Sequence, residues 1–588
     1  GSTKAAVSAS DINKGLTDLS KADVWVHADD AANSAGLVVN LTGSGTASVG
    51  ASADTNLIDR TTEASVTGTS STNRNTANAH DFLVESRSQQ AMSNFDATVA
   101  FGVEGAAVAG TASIDKLDST TKAGLTHMDV GYTGQARVTA DHTDQAYLGN
   151  ASAGVAFIGA GAGLVTGIVR ENSVVAADVT DSSLQSDEND SKATIQASNT
   201  SHLLTAVTSS GVGILGVGAA GTVAVNNMAQ QVTVSVSGST IKAGSLDILA
   251  QNTMDASTNG GSLAGGFGGA GVSVAVNTFN DKVDAVIDSG SQLTATSGAL
   301  TVRAEEDRDL NQIVANVSVG VAGVGANIMV TNVNKAVDNQ DVLDKIDEAN
   351  SSVPDYSGKV KGLSESERGT LQENSRRNGS GGTEDETSGV HVKVDGSSLT
   401  AAGDLTVGAQ ESSDAAMNGG SVTVGGASFN GAVGLLNVKH DTQVTLNGAV
   451  LSGSTVAVEA VEQDKKDGTV LNVVQGSGGV YALGAAYGKA ATSGNTQVTA
   501  TDSTLTGKKV KVSAKDTSTT EANAYGLTAG MIAAGAIVSQ AENTSNTRVV
   551  LSGSTLKGTG TADSVTVESE KANGLTANAY GGAVGLAS

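Results

Sequence analysis

Val24, Val26 and Ala28 alternate with Trp25 and His27, and this apolar–x–apolar–x–small phrase returns nine more times along the chain. It recurs at Phe82 to Ser86, Ala136 to Ala140, Ala193 to Ala197, Leu246 to Ala250 and Leu300 to Ala304. It then recurs at Leu405 to Ala409, Val456 to Ala460, Val510 to Ala514 and Val565 to Ser569. The steps between phrases are 58, 54, 57, 53, 54, 105, 51, 54 and 55 residues. Alternation with a period of two is the mark of a strand with one buried face. Its return at a nearly fixed long interval is the mark of a repeat architecture.

Between phrases the pattern stays strand-like. Val272-Ser273-Val274-Ala275-Val276 alternates apolar with small residues, Val283, Ala285 and Ile287 alternate again, and Ser289-Gly290-Ser291 supplies turn chemistry. A sheet with one apolar face cannot stand alone, so successive repeats must stack and share a core. The expected fold is all-β: an elongated β-solenoid, with a right-handed parallel β-helix favoured, of about ten repeats of ~55 residues. Known solenoid units are shorter than this period, so two coils per repeat are expected, with three as the alternative. With two, the rod would be on the order of 100 Å long at about 4.8 Å per rung.

The Gly-rich strands, such as Gly260 to Gly266, carry Ser, Ala and Gly on their second face in place of Lys or Glu. Glycine within a strand marks close backbone approach, so two thin sheets lying close together are expected; a low-complexity loop is the bland alternative. The 105-residue step contains 52 extra residues, Asp338 to Gly389, between strands that otherwise continue. Val342, Ile346 and Ala349 fit one helical face, and Pro354 is the only proline. The chain therefore divides into solenoid repeats over 3–337, a partly helical, mobile inserted element over 338–389, and continuing repeats over 390–588. The last stretch stops within a repeat at Tyr580-Gly581-Gly582-Ala583-Val584, as a piece of a longer parent chain would. Gly1-Ser2 reads as a cloning remnant.

Composition sharpens this picture. Aromatics are 3% of the chain, so the core must be thin and filled by Val, Ala, Ile and Leu. The net charge of −26 opposes a nucleic-acid partner. No apolar run of about 18 residues could span a membrane as a helix. The chain has no Cys, which suits a secreted protein that must thread a pore before folding.

Candidate chemistry is sparse. The seven histidines form no local metal-ligand spacing and fit surface strand and turn positions. Asp288-Ser289-Gly290-Ser291 resembles a nucleophile segment but stands where other repeats have turns, as at Ser237-Gly238-Ser239. The acidic groups Glu305-Glu306-Asp307 and Asp187-Glu188 read as solvated turns rather than as the paired carboxylates of a polysaccharide-active enzyme. No Ca²⁺-binding nonapeptide occurs. Asn226, Asn277 and Asn437 stand at what look like equivalent positions and could stack as a ladder or form turns. No catalytic, cofactor-binding or metal-ligating residue is assigned, and no cofactor is expected.

The order Gly271-Val-Ser-Val-Ala-Val-Asn277, Lys282-Val283, Ser291-Gln-Leu-Thr-Ala295, Leu300-Thr-Val-Arg-Ala304 resembles the repeat of leukotoxin-type filamentous adhesins of Gram-negative bacteria. Ser239-Thr-Ile-Lys-Ala-Gly-Ser-Leu-Asp-Ile-Leu-Ala250 is similar to filamentous-haemagglutinin β-helix repeats. The resemblance implies an extracellular or outer-surface location, export by a type V route, and attachment to a host cell-surface or matrix component or, in some members, leukocyte toxicity. A polysaccharide-active β-helix enzyme is the third reading. The insertion is the natural contact element, with Asp341, Lys345, Asp347, Tyr356, Arg368, Arg376 and Arg377 as candidate contact residues; an inert tolerated loop is its bland alternative.

Overall fold

The computed structural model describes residues 1–16, 18–335, 388–559 and 564–586. Every phrase lies in register beside the next in a parallel ladder: Ala193 faces Leu246, Leu246 faces Leu300, and Leu405 faces Val456. The register offset equals the sequence period. Each repeat is therefore one rung of a β-solenoid, not the two coils expected, and ten rungs at about 4.8 Å make a rod of roughly 45 Å. We number the rungs by their phrases, from rung 1 at Val24 to rung 10 at Val565.

A single rung absorbs about 54 residues because the chain makes a long excursion. In rung 5 the strand Ser245–Asp288 leaves the phrase, runs outward, reverses near Gly266 and returns. Its outgoing and returning halves lie face to face: Ser262 Oγ meets Ser273 Oγ at 2.9 Å, and Thr258 Oγ1 donates to Asn277 Oδ1 at 3.1 Å. The cross-section is thus a triangular prism with a thin two-layered blade attached. The short strands Thr240–Ala243, Gln292–Ala295 and Ser398–Ala401 belong to the separate third face of the prism.

The prism core is the buried phrase residues, the returning Val283, Ala285 and Ile287, and the third-face Leu293 and Ala295, repeated rung after rung. A second apolar cluster in the blade contains Met92, Leu148, Val207, Phe279, Leu310 and Leu471. Toward the blade's outer edge the layers come so close that only small residues fit between them, as in the buried cluster of Ala100, Ala107, Ala109 and Ala156. A Cβ on Gly211 would collide with the carbonyl of Ala219, and one on Gly154 with that of Ala162. This close approach is the two thin sheets that the Gly-rich strands imply.

The rod runs through the insertion without a break. Leu300 pairs with Leu405 and Ala322 with Ala427, while Lys282 pairs with Gly389. Gly389 therefore belongs to the strand Gly389–Asp395 rather than to the inserted element. Residues 336–387, and with them the expected helical segment, lie outside the described residues, among which there is no helix.

Two side-chain ladders run along the rod. Asn226 donates to Asn277 at 2.9 Å, and Asn277 to Thr331. Asn437 is one position away from that column and stacks on Asn332. The apparent equivalence of Asn437 with the other two was thus a slip of one residue. A longer ladder links Asn418, Asn472, Asn523 and Asn578, each bond about 2.8–2.9 Å.

Candidate functional site

The expected contact residues Asp341, Lys345, Asp347, Tyr356, Arg368, Arg376 and Arg377 all lie outside the described residues. What is described at the base of the insertion is a buried charged cluster. Its origin is a column of inward-facing positions, each six residues after the start of its phrase: Ser88, His142, Asn199, Asn252, Glu306, Glu411, Glu462 and Asp516. The strand period points these side chains into the junction of prism and blade, and all eight are buried.

Stacking carboxylates one rung apart is costly without cations, because burial removes their hydration and like charges repel. Arg308 meets this cost. Its guanidinium donates through Nε and Nη2 to Asp281 Oδ2 at 3.1 and 2.9 Å, and through Nη1 to Glu411 Oε1 at 2.8 Å. His440 Nδ1 lies 2.8 Å from the same Glu411 oxygen and 3.2 Å from Glu462 Oε1. Burial alone would push Glu411 up, but His440 and Arg308 hold it down at about 2. Glu306 is pushed well above the usual range, by burial and then by Asp281. Glu462 is pushed up likewise, by burial and then by Glu411. The Arg308 guanidinium is thus shared between the carboxylates of Asp281 and Glu411.

Glu411, His440 and Glu462 each offer a ligand atom within 4.8 Å of the others, a spacing that could hold a metal ion. They come from neighbouring rungs, which is why no local sequence spacing announced them. The Glu411 oxygen facing His440 already accepts a hydrogen bond from the Arg308 guanidinium.

His142, with Ser119 and Asp144, looks like a nucleophilic set and is not one. Both Ser119 Oγ, at 2.8 Å, and Asp144 Oδ2, at 2.7 Å, approach the same imidazole nitrogen, whereas base catalysis needs them on opposite nitrogens. Ser291 is equally structural: its hydroxyl donates to the Asp288 carbonyl at 2.6 Å and accepts from the Ser239 amide of the adjacent rung, confirming a stacked turn. Two expectations fail here. His142 and His440 are buried rather than at the surface, and Glu306 is buried rather than solvated, because each occupies an inward position of the strand alternation.

Outside the core, a crease of about 610 Å³ runs across the first rungs. Trp25, the only tryptophan, stands over it 63% exposed. Its Nε1 donates to Glu85 Oε2 at 3.0 Å and its ring contacts His27 at a centroid distance of 4.9 Å. Glu85 also lies 3.7 Å from Arg137, so it is tied up in pairing.

The most extensive surface feature is the blade's outer edge. Val103, Phe157, Ile214, Phe267, Val321 and Met531 stand at the tips of their rungs, each between 50% and 59% exposed. Their spines are glycines stacked from rung to rung: a Cβ on Gly159 would collide with Gly105, one on Gly216 with Gly159, and one on Gly479 with Gly425. Apart from Glu104, the tips at 101–107, 155–161, 212–218, 265–269, 319–323, 424–428, 478–482 and 529–533 carry no charge. Each of the six apolar residues stands 21 residues after the start of its phrase, a regularity present in the sequence but carried by no chemical motif.

No family model, curated protein or solved structure matches this chain.

Proposed function

We propose that this chain is a structural and binding segment of a large secreted or surface-anchored bacterial adhesin, a rod that holds a contact element away from the cell. The observation that carries this reading is the unbroken pairing of Leu300 with Leu405 across the insertion. A rod whose ladder is indifferent to a 52-residue detour can present that detour sideways without losing stiffness. The resemblance to leukotoxin-type and filamentous-haemagglutinin repeats supplies the rest: an extracellular setting, a type V export route, and a host cell-surface or matrix component as partner.

A cytotoxin segment is the second reading, favoured by the apolar blade edge with its single charged tip residue, Glu104, since large exposed apolar patches mark protein or membrane contacts. One experiment separates the two. The purified chain, and a variant lacking 338–387 that spares the paired Gly389, are applied to cultured epithelial cells, immobilised matrix and leukocytes. The adhesin reading expects saturable binding that the deletion abolishes and no leukocyte killing. Killing by the intact chain would favour the toxin, and binding that survives the deletion would remove the insertion as the contact element.

A further inference from the structure

The geometry points to the apolar blade edge as a self-association surface, on which a second copy of this chain docks edge to edge and antiparallel. This inference is independent of the adhesin reading. Three observations choose the occupant.

The first is charge. The chain carries −26 overall, so two copies repel over most of their surfaces. The edge from rung 2 to rung 9 holds a single charged tip residue, Glu104, and is a long strip along which two copies can meet without opposing charges.

The second is period. The tips recur at the rung spacing, about 4.8 Å, over roughly 34 Å. A ridge with that repeat meets another ridge with the same repeat tip for tip. Contact between two rigid edges, taken as on the order of 15 Å wide, buries roughly 500 Å² per partner, about 1,000 Å² in all, near the lower limit of a specific interface. A reversible, micromolar dimer is the expected consequence.

The third is shape. The ridge is not uniform: rung 4 ends in Ile214-Leu215, whereas rung 7 ends in Gly425-Gly426. A two-fold axis across the ridge between rungs 5 and 6 brings rung 4 of one copy opposite rung 7 of the other. The bulky pair then faces the glycine pair. The same operation sets rung 5, with Phe267, against rung 6, with Val321. An isologous contact of this kind is closed, so it stops at two copies.

Sedimentation velocity of the intact chain at micromolar concentration tests the proposal. A monomer–dimer equilibrium is expected, with the dimer favoured by added salt because salt screens the repulsion between two acidic rods. Phe157→Ser combined with Ile214→Ser should weaken dimerisation at least tenfold, while Leu37→Ser, at an exposed apolar site away from the tips, should leave it unchanged. Circular dichroism confirms that each variant is folded. Because the native chain has no Cys, Ile214→Cys with Val424→Cys gives an independent arm in an otherwise intact edge. Rapid disulfide-linked dimer from the double variant, and little from either single variant, is expected of the antiparallel pairing. A chain that stays monomeric in high salt overturns the proposal. So does a chain that is monomeric in solution but sediments with neutral phosphatidylcholine vesicles, which would assign the edge to lipid. Dimers untouched by the Phe157 and Ile214 substitutions overturn it as well.

Discussion

Arg308 Nη1 stands 2.8 Å from Glu411 Oε1 although 103 residues separate them in the chain. The solenoid register makes them neighbours, because rung 7 pairs directly with rung 6. The same guanidinium reaches back to Asp281 on the opposite layer of the blade. One buried cation therefore ties together three strands at the point where the chain leaves and rejoins the rod.

Replacing Arg308 should be severe. Arg308→Met leaves Asp281 and Glu411 buried without their counter-charge, and breaking a buried pair from one side costs about 3–5 kcal/mol. Urea denaturation should show the midpoint falling accordingly. Arg308→Lys should recover little, since a point charge cannot bridge Asp281 and Glu411 as the planar fork does. A midpoint within error of the parent chain would mean that the cluster contributes nothing to stability.

Stability should fall as pH rises through neutrality. Glu171 is pushed up to about 8, by burial and then by the Asp144 charge, while Ser201 and Gln230 donate to its Oε1 at 2.7 and 2.9 Å. An unfolded glutamate titrates near pH 4.3, so the folded chain holds a proton that the unfolded chain has released. The contribution is whole below the unfolded value and is lost as pH climbs through the folded one. Glu171→Gln should flatten the stability profile between about pH 4.3 and 8. Melting temperatures across that range for both chains measure the effect, and parallel curves would refute it.

His391 should act with the same sign at higher pH. Burial would lower its pKa, but the carboxylates of Asp284, at 3.1 Å, and Asp441, at 4.0 Å, raise it to about 9. Its contribution is complete below the unfolded value near 6.5 and disappears as pH rises through 9. His391→Gln should therefore be destabilising at pH 6 and nearly neutral at pH 10. The imidazole proton shift followed by NMR should give the same midpoint; an ordinary histidine titration would contradict the pairing.

Glycines at the blade edge should not be interchangeable. A Cβ on Gly216 would run into the Gly159 carbonyl of the neighbouring rung, whereas one on Gly420 meets open space. Gly216→Ala should cost about 1–3 kcal/mol, the usual price of overpacking, and Gly420→Ala close to nothing. Hydrogen exchange at residues 212–218 should rise in the first variant only. Equal effects at the two sites would show that the edge has slack.

Particular residues show how much was legible in the chain alone. Strand alternation identified Leu246, Ile248 and Ala250 as core, and they are fully buried. The glycines announced two sheets in close contact, and the carbonyls packed against Gly154 and Gly211 are that contact. The same alternation, carried two positions past each phrase, reaches a position that is polar in rungs 2 to 9, from Ser88 to Asp516. Its parity alone marks Glu306, His142 and Glu411 as inward. The ligand-spaced set Glu411, His440 and Glu462 had no such signal, because its members lie one rung apart and on facing layers of the blade.

The sequence by itself determined the repeat, the strands, the apolar faces and the place of the insertion, because these are local: they follow from side-chain parity and from residues that favour turns. Only the tertiary structure decided that each period is a single rung. A period states how often the chain returns, not what path it takes before returning. Glycine allowed the two halves of each excursion to lie face to face, so the spare length became a blade instead of a second coil. That choice fixed the register, and the register in turn placed Arg308 on Glu411 and lined up the apolar tips along one edge.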